Sequence, residues 1–166
     1  MNIPLLTVRP ATEADAPTIL ALIRDLAEYE KLSHEVVVTE EDLRRDLFGP
    51  RPWAEALIGE VNGEAAGFAL FFPTYSTFAG SPCLYLEDLF VRPAFRKLGL
   101  GRRLLQAVAQ VAVERGCARY EWSVLDWNAP AIAFYESVGA RMSPDWRRMR
   151  MEGPSLERFG AGPAGA

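Results

Sequence analysis

The chain has 166 residues, 49% of them hydrophobic and 24% charged, with a formal net charge of -4. That balance excludes a disordered chain and allows one domain with a substantial core. The acidic excess and the lack of a basic face argue against nucleic acid as a partner. A single histidine, His34, and two distant cysteines, Cys83 and Cys117, exclude a His-rich metal site and a disulfide framework. No metal is expected, and both thiols read as reduced. No apolar run approaches a membrane span, and Met1–Arg9 shows no signal-peptide pattern, so the sequence reads as cytoplasmic with no membrane partner.

Leu5–Arg9 reads as a short strand stopped by Pro10. Thr12 and Asp15 are spaced as a capping box, and Ile19, Leu22, Ile23, Leu26 and Ala27 then recur at helical spacing, to about Tyr29 or Lys31. Thr39 opens a second helix with Glu40, Glu41 and Asp42 in its first turn, an apolar stripe of Leu43 and Leu47, and Gly49-Pro50 at its end. Trp53–Val61 and Ala65–Phe72 read as strands joined by Asn62-Gly63, a strong hairpin signal. A loop containing Pro73, Gly80 and Pro82 precedes a strand over Leu84–Val91. Gly99–Arg115 reads as a long amphipathic helix, stopped by Gly116. A strand over Arg119–Leu125, a helix over Ala129–Ser137 closed by Gly139, and a last strand over Trp146–Met151 complete the predicted order. One mixed α/β domain over residues 1–152 is expected, with 153–166 a flexible tail rich in Gly, Pro and Ala.

The informative feature is a strand followed at once by Arg96-Lys97-Leu98-Gly99-Leu100-Gly101-Arg102 and a long helix. Glycines let backbone approach a ligand closely, and a helix start offers unpaired N–H groups and a dipole that favours an anion. Such a junction is a ready diphosphate site. A Walker A loop is absent, and the dinucleotide fingerprint fails because Leu104 stands where its third glycine would be. The two glycines alone are equally compatible with an ordinary turn.

Arg96-x-x-Gly99-x-Gly101 and Asn128-Ala129-Pro130-Ala131-Ile132-Ala133-Phe134-Tyr135-Glu136-Ser137-Val138-Gly139-Ala140 together resemble two motifs of the GNAT superfamily of N-acetyltransferases. Val8-Arg9-Pro10-Ala11-Thr12, Leu26-Ala27-Glu28-Tyr29-Glu30, Tyr85-Leu86-Glu87-Asp88-Leu89-Phe90-Val91 and Trp127-Asn128-x-Pro130 resemble its diamine (spermidine/spermine) acetyltransferase-like branch, which also contains enzymes acting on thialysine. The resemblance implies a mostly antiparallel central sheet of about six or seven strands flanked by about four helices, acetyl-CoA as co-substrate, a small amine as partner, and a homodimer. It also implies site residues. Leu89, Phe90 and Val91 would bond the pantetheine arm through their backbone; Arg96, Lys97, Leu98, Gly99, Leu100, Gly101 and Arg102 would hold the pyrophosphate. Asn128, Ala129, Pro130 and Ala131 would line the cofactor further along. Tyr135 would touch the cofactor and serve as general acid, with Glu87 as general base. Tyr29, Glu30, Glu87, Glu121, Trp122 and Ser123 would face the amine.

The chemistry needs such groups. An alkyl ammonium has a pKa of about 10 and must lose a proton before it can attack a thioester. A carboxylate can attract the cation and accept that proton, and a tyrosine can protonate the departing thiolate. After Tyr29-Glu30 the chain has Lys31-Leu32-Ser33-His34, and Ser76 and Phe78 replace the acid and tryptophan expected from the branch. Fewer anions fit a shorter amine or a lysine-like amino acid at least as well as a long polycation. Acetylation of a protein N-terminus or lysine, and an idle acyl-CoA-binding module, are the competing expectations.

Overall fold

The structure, a computed structural model, describes residues 3–162. Its chain forms two compact units, Met1–Ser123 and Val124–Ala166. In the first, strand β1 (Leu6–Pro10) leads to helices α1 (Ala16–Tyr29) and α2 (Glu40–Phe48), strands β2 (Glu55–Val61), β3 (Glu64–Ser76) and β4 (Ser81–Val91), helix α3 (Leu100–Glu114) and a short strand β5 (Tyr120–Trp122). The five strands form one sheet in sequence order, antiparallel except for the parallel β4–β5 pair. The second unit contains α4 (Ala129–Ser137) and α5 (Gly153–Ala161).

Local chemistry accounts for most of these boundaries. At α2, Asp42 N–H donates to Thr39 Oγ1 at 3.2 Å, and Thr39 N–H donates to the Asp42 carboxylate at 3.0 Å, so both orphan donors are satisfied. Thr12 N–H donates to Asp15 at 2.7 Å ahead of α1. Arg9 reaches from β1 to that same carboxylate and to Glu60 on β2, 2.8 Å from each. Asn62 and Gly63 both take left-handed backbone, with φ of 52° and 83°, as a two-residue hairpin turn requires.

The sheet is covered on two faces. Ile19 and Leu22 of α1 and Leu43 and Leu47 of α2 pack with Ile58, Phe68 and Phe90 on one side. On the other lies α3, with Leu100, Leu104, Leu105 and Val108 buried. A side chain at Gly59 of β2 would come within 3.0 Å of Leu100, so the bare backbone there lets α3 sit close. Each fully buried leucine contributes about 1.5–3 kcal/mol.

The architecture is the expected mixed, mostly antiparallel α/β type, with five strands and five α-helices among the described residues in place of six or seven strands and four helices. The predicted loop around Pro73 is part of a long hairpin, in which Pro73 faces Leu84 and Tyr75 faces Pro82. Proline is tolerated because β2 stops pairing at Glu55–Phe71, which leaves that end of β3 as an edge. The strand predicted over Trp146–Met151 does not form; the stretch has no ladder partner among the described residues, and Trp146 and Met149 are exposed. Strand geometry without a ladder leaves its backbone groups unpaired, and here the alternation is also broken by the adjacent Arg147 and Arg148. Where a tail is predicted, α5 occupies Gly153–Ala161, with Pro154 in its first turn. Residues 163–166 of that tail lie outside the described residues.

Candidate active site

Strand β4 carries the site's main geometry. On one side it pairs with β3 along its whole length, whereas on the other β5 pairs only with Leu84, Tyr85 and Leu86. From Glu87 to Val91 that second edge has no ladder partner among the described residues. An unpaired strand edge presents a row of donors and acceptors to an extended ligand.

The free edge begins at a bulge. Leu70 faces Asp88 and Phe71 faces Leu86, so Glu87 is an extra residue with no partner on β3. One inserted residue reverses the alternation of side chains. Asp88 therefore shares the α1 face with Leu70 and Phe90, both of which belong to or pack against the core beneath α1 and α2. Leu89 and Val91 take the opposite face; Val91 Cγ2 lies 3.7 Å from where a side chain on Gly101 would begin.

Burial, followed by the charges of Glu87 and Glu30, pushes the Asp88 carboxyl up to about 7. Burial also raises Glu30, which caps the end of α1 just after Tyr29. Three carboxyl groups thus gather between the bulge and the end of α1, a setting that favours a cationic visitor. Asp88 was not singled out by the sequence, which shows only a charged pair in a strand.

The glycine loop follows β4 after a 3-10 turn at Pro93–Phe95. Lys97 and Gly99 both take left-handed backbone, with φ of 63° and 92°, immediately before α3 begins at Leu100. Gly99 suits that conformation, whereas Lys97 holds it as a strained non-glycine residue. A left-handed turn feeding a helix start directs N–H groups into a concavity suited to an anion. Among the described residues, a Cβ at Gly101 would meet only Val91 Cγ2, at an ordinary 3.7 Å. The loop, the open edge and the room at Gly101 fit a long ligand ending in phosphates. The Arg96 side chain turns back to β4, its Nε donating to the Val91 carbonyl at 2.9 Å, with its guanidinium over the Tyr29 ring.

The first unit thus brings together Tyr29, Glu30, Glu87, Leu89–Val91 and the loop Arg96–Arg102. Glu121 and Trp122 lie on β5 beside Tyr85 and Leu86, and Ser123 Oγ is 2.7 Å from the Tyr85 hydroxyl. In the second unit Asn128 caps α4, its Oδ1 accepting from Ala131 N–H at 3.4 Å, with Ala129 and Pro130 in the first turn. Tyr135 is half-buried on α4, its ring 5.4 Å from that of Phe134. Ser76 and Phe78 belong to the long hairpin. Ser76 Oγ accepts from Ala79 N–H at 3.2 Å in its turn, and Phe78 is 98% exposed.

Among the described residues no group of three His, Cys, Asp or Glu side chains is placed to hold a metal ion, and no helix is long and apolar enough to cross a membrane. Fold and site define a class of mixed α/β protein in which a strand edge without a ladder partner runs into a glycine-containing left-handed turn at a helix start. The acetyltransferase (GNAT) family profile matches residues 21–140, and the chain belongs to that family. It is similar to thialysine N-epsilon-acetyltransferase of Sus scrofa, 40% identical over 163 residues that cover 92% of this chain and 95% of the relative. The Caenorhabditis elegans protein of that name is 38% identical, covering 95% and 97%. Among solved structures, an integron cassette protein from the mobile metagenome of V. cholerae shares the fold, with a TM-score of 0.78 at 22% identity over 93% of this chain and 97% of that one. Family and relatives together make the chain an acetyl-CoA-dependent N-acetyltransferase.

Proposed function

We propose that the enzyme moves the acetyl group of acetyl-CoA to a primary amine of a lysine-like (thialysine-type) amino acid, a diamine or a small polyamine, by direct transfer in a ternary complex. The observation that carries this reading is the gathering of Glu30, Glu87 and Asp88 beside the unpaired edge of β4. An ammonium is drawn to such a group of anions, and an acyl-carrying ligand laid along the edge would present its thioester beside them. The relatives named for thialysine support the lysine-like acceptor over a long polycation.

In this reading acetyl-CoA supplies the activated acyl carbon. Leu89, Phe90 and Val91 hold the pantetheine arm through their backbone, and the N–H groups of Lys97–Arg102 hold the pyrophosphate. Asn128, Ala129, Pro130 and Ala131 line the cofactor further along, Asn128 by fixing the start of α4. Tyr29 and Glu30 receive the ammonium, with Glu121, Trp122 and Ser123 on the neighbouring strand. Glu87 accepts the proton that the ammonium must lose, directly or through water. The freed amine forms its bond to the acyl carbon as the carbon–sulfur bond breaks, and Tyr135 gives its hydroxyl proton to the leaving sulfur.

Residues 1–152 are proposed as one functional domain, with 153–166 dispensable for turnover. A cytoplasmic homodimer that needs no metal, nucleic acid or membrane completes the reading; exposed Trp146, Met149 and Phe159 leave apolar surface for a second copy to cover. Light scattering on the purified protein tests the dimer. The activity is tested by thiol release from acetyl-CoA with thialysine, lysine, ornithine, putrescine, spermidine and a peptide with a free N-terminus. Turnover with the lysine-like amines is expected. Turnover with the peptide alone, or binding of acetyl-CoA without turnover of any amine, refutes the proposal.

A further inference from the structure

Arg96 is engaged in a way that the phosphate-site reading leaves unexplained. Its Nε donates to the Val91 carbonyl at 2.9 Å, and its guanidinium carbon lies 4.7 Å from the centre of the Tyr29 ring and 5.6 Å from that of Phe90. Tyr29 is the last residue of α1, while Phe90 and Val91 end β4. One cation therefore joins the amine-facing end of a helix to the strand that offers its free edge to the cofactor.

The chain just beyond Tyr29 needs holding. Lys31 takes left-handed backbone at φ 62°, which a non-glycine residue keeps only where neighbouring contacts impose it. The turn is closed by three backbone bonds: Glu30 N–H to Leu26, Lys31 N–H to Glu28 and Leu32 N–H to Ala27, at 2.9, 3.1 and 2.8 Å. These are the bonds a frayed helix end would lose first. Tyr29, pinned under Arg96, directly precedes them. On the other side Arg96 is followed by strained Lys97, the first residue of the proposed pyrophosphate loop.

We propose that Arg96 is a positioning residue. It clasps Tyr29, and Glu30 with it, to β4, so that the loop which would bind phosphate and the carboxyl which would bind the amine are set together. The inference rests on the acetyltransfer reading given above, and it moves Arg96 from the phosphate contacts to the amine side.

The experiment compares the parent with Arg96→Gln, Arg96→Lys and Tyr29→Leu. Hydrogen exchange of the Glu30, Lys31 and Leu32 amides is read without any substrate, and KM is read for amine and acetyl-CoA separately. In Arg96→Gln, exchange at those amides and the KM for amine should each rise about twofold to fivefold, the size of one exposed cation–π contact. The KM for acetyl-CoA should change less than about twofold. Adding Arg96→Gln to Tyr29→Leu should bring no further rise, because the two side chains act as a pair. Arg96→Lys keeps a cation near the ring and loses the Nε bond, so it should lie between parent and Gln; it carries the test if the Gln variant does not fold. Unchanged exchange at Glu30–Leu32, additive effects, or a larger rise in KM for acetyl-CoA than for amine would overturn the proposal. A parent that acetylates no amine would defeat the functional reading instead, a result that the exchange data are independent of.

Discussion

Replacing Asp88 by asparagine should stabilise the protein at pH 8 and leave it almost unchanged at pH 4. The folded chain pushes this carboxyl up to about 7 from an ordinary 3.8, chiefly by burial and then by the charges of Glu87 and Glu30. Between those two pH values the folded protein keeps a proton that the unfolded chain has already lost. Stability from this group therefore falls as pH rises through the window; the cost is absent below about pH 4 and complete above about pH 7. At about 1.4 kcal/mol per pH unit, the full cost is about 4 kcal/mol. Asparagine stays neutral throughout and fills nearly the same volume. Urea unfolding at pH 4, 5, 6, 7 and 8 should show the variant and parent together at the acid end and separated by up to about 4 kcal/mol at the alkaline end. Parallel curves, or a variant that is no more stable at pH 8, would refute the argument that Asp88 is strained. A bound ammonium would offset the negative charge around Asp88, lower its pKa and release a proton, so the heat of amine binding near pH 6.5 should vary with the ionisation enthalpy of the buffer.

Three further outcomes test the proposed roles. Tyr135→Phe keeps the ring beside Phe134 and should lower kcat and kcat/KM together by about 10²–10⁴-fold with acetyl-CoA affinity intact; a variant as fast as the parent makes Tyr135 a packing residue. Gly101→Val should fold, since a side chain there first meets Val91 Cγ2 at an ordinary 3.7 Å, yet it should abolish the thermal protection that acetyl-CoA gives the parent, about 2.7 kcal/mol at a hundred times its Kd. Persistence of that protection would move the phosphates elsewhere. Glu30→Gln should raise the KM for amine several-fold and leave that for acetyl-CoA nearly unchanged, with equal rises counting against an amine-side role.

The parts of the fold legible in the sequence are those set by short-range chemistry. Asn62-Gly63 fixes a hairpin because both residues accept positive φ, and Thr39 with Asp42 fixes a helix start through two reciprocal hydrogen bonds. The Arg96–Arg102 loop was legible because its glycines and its helix are contiguous. What was hidden depends on partners distant in sequence. Pro73 reads as a loop residue until the end of β2 makes its stretch an edge. Trp146–Met151 reads as a strand because its side chains are bulky, but no neighbour supplies a ladder among the described residues. Asp88 looks like half of a solvated acidic pair because its surroundings are set by a bulge and by the end of α1.

In the proposed reading, that bulge lets one strand serve two substrates. Without it, regular alternation from Leu86 would put Glu87 on the α1 face and Asp88 on the α3 face, beneath α3 and away from Glu30. With Glu87 inserted, Asp88 joins Phe90 on the α1 face, while Leu89 and Val91 turn toward α3 and the glycine loop that precedes it. The backbone edge between them has no ladder partner among the described residues, because β5 stops at Trp122, and its Val91 carbonyl accepts from Arg96. In the proposed reading the amine thus meets the side chains of one face, and the cofactor meets the edge and the loop. The reacting atoms are brought side by side without either ligand crossing the sheet. Burying a carboxyl group to achieve this is unfavourable, and it is tolerated because the apolar core on that face, with Ile19, Leu22, Leu43, Leu47, Ile58, Phe68 and Phe90, offsets a cost of about 4 kcal/mol.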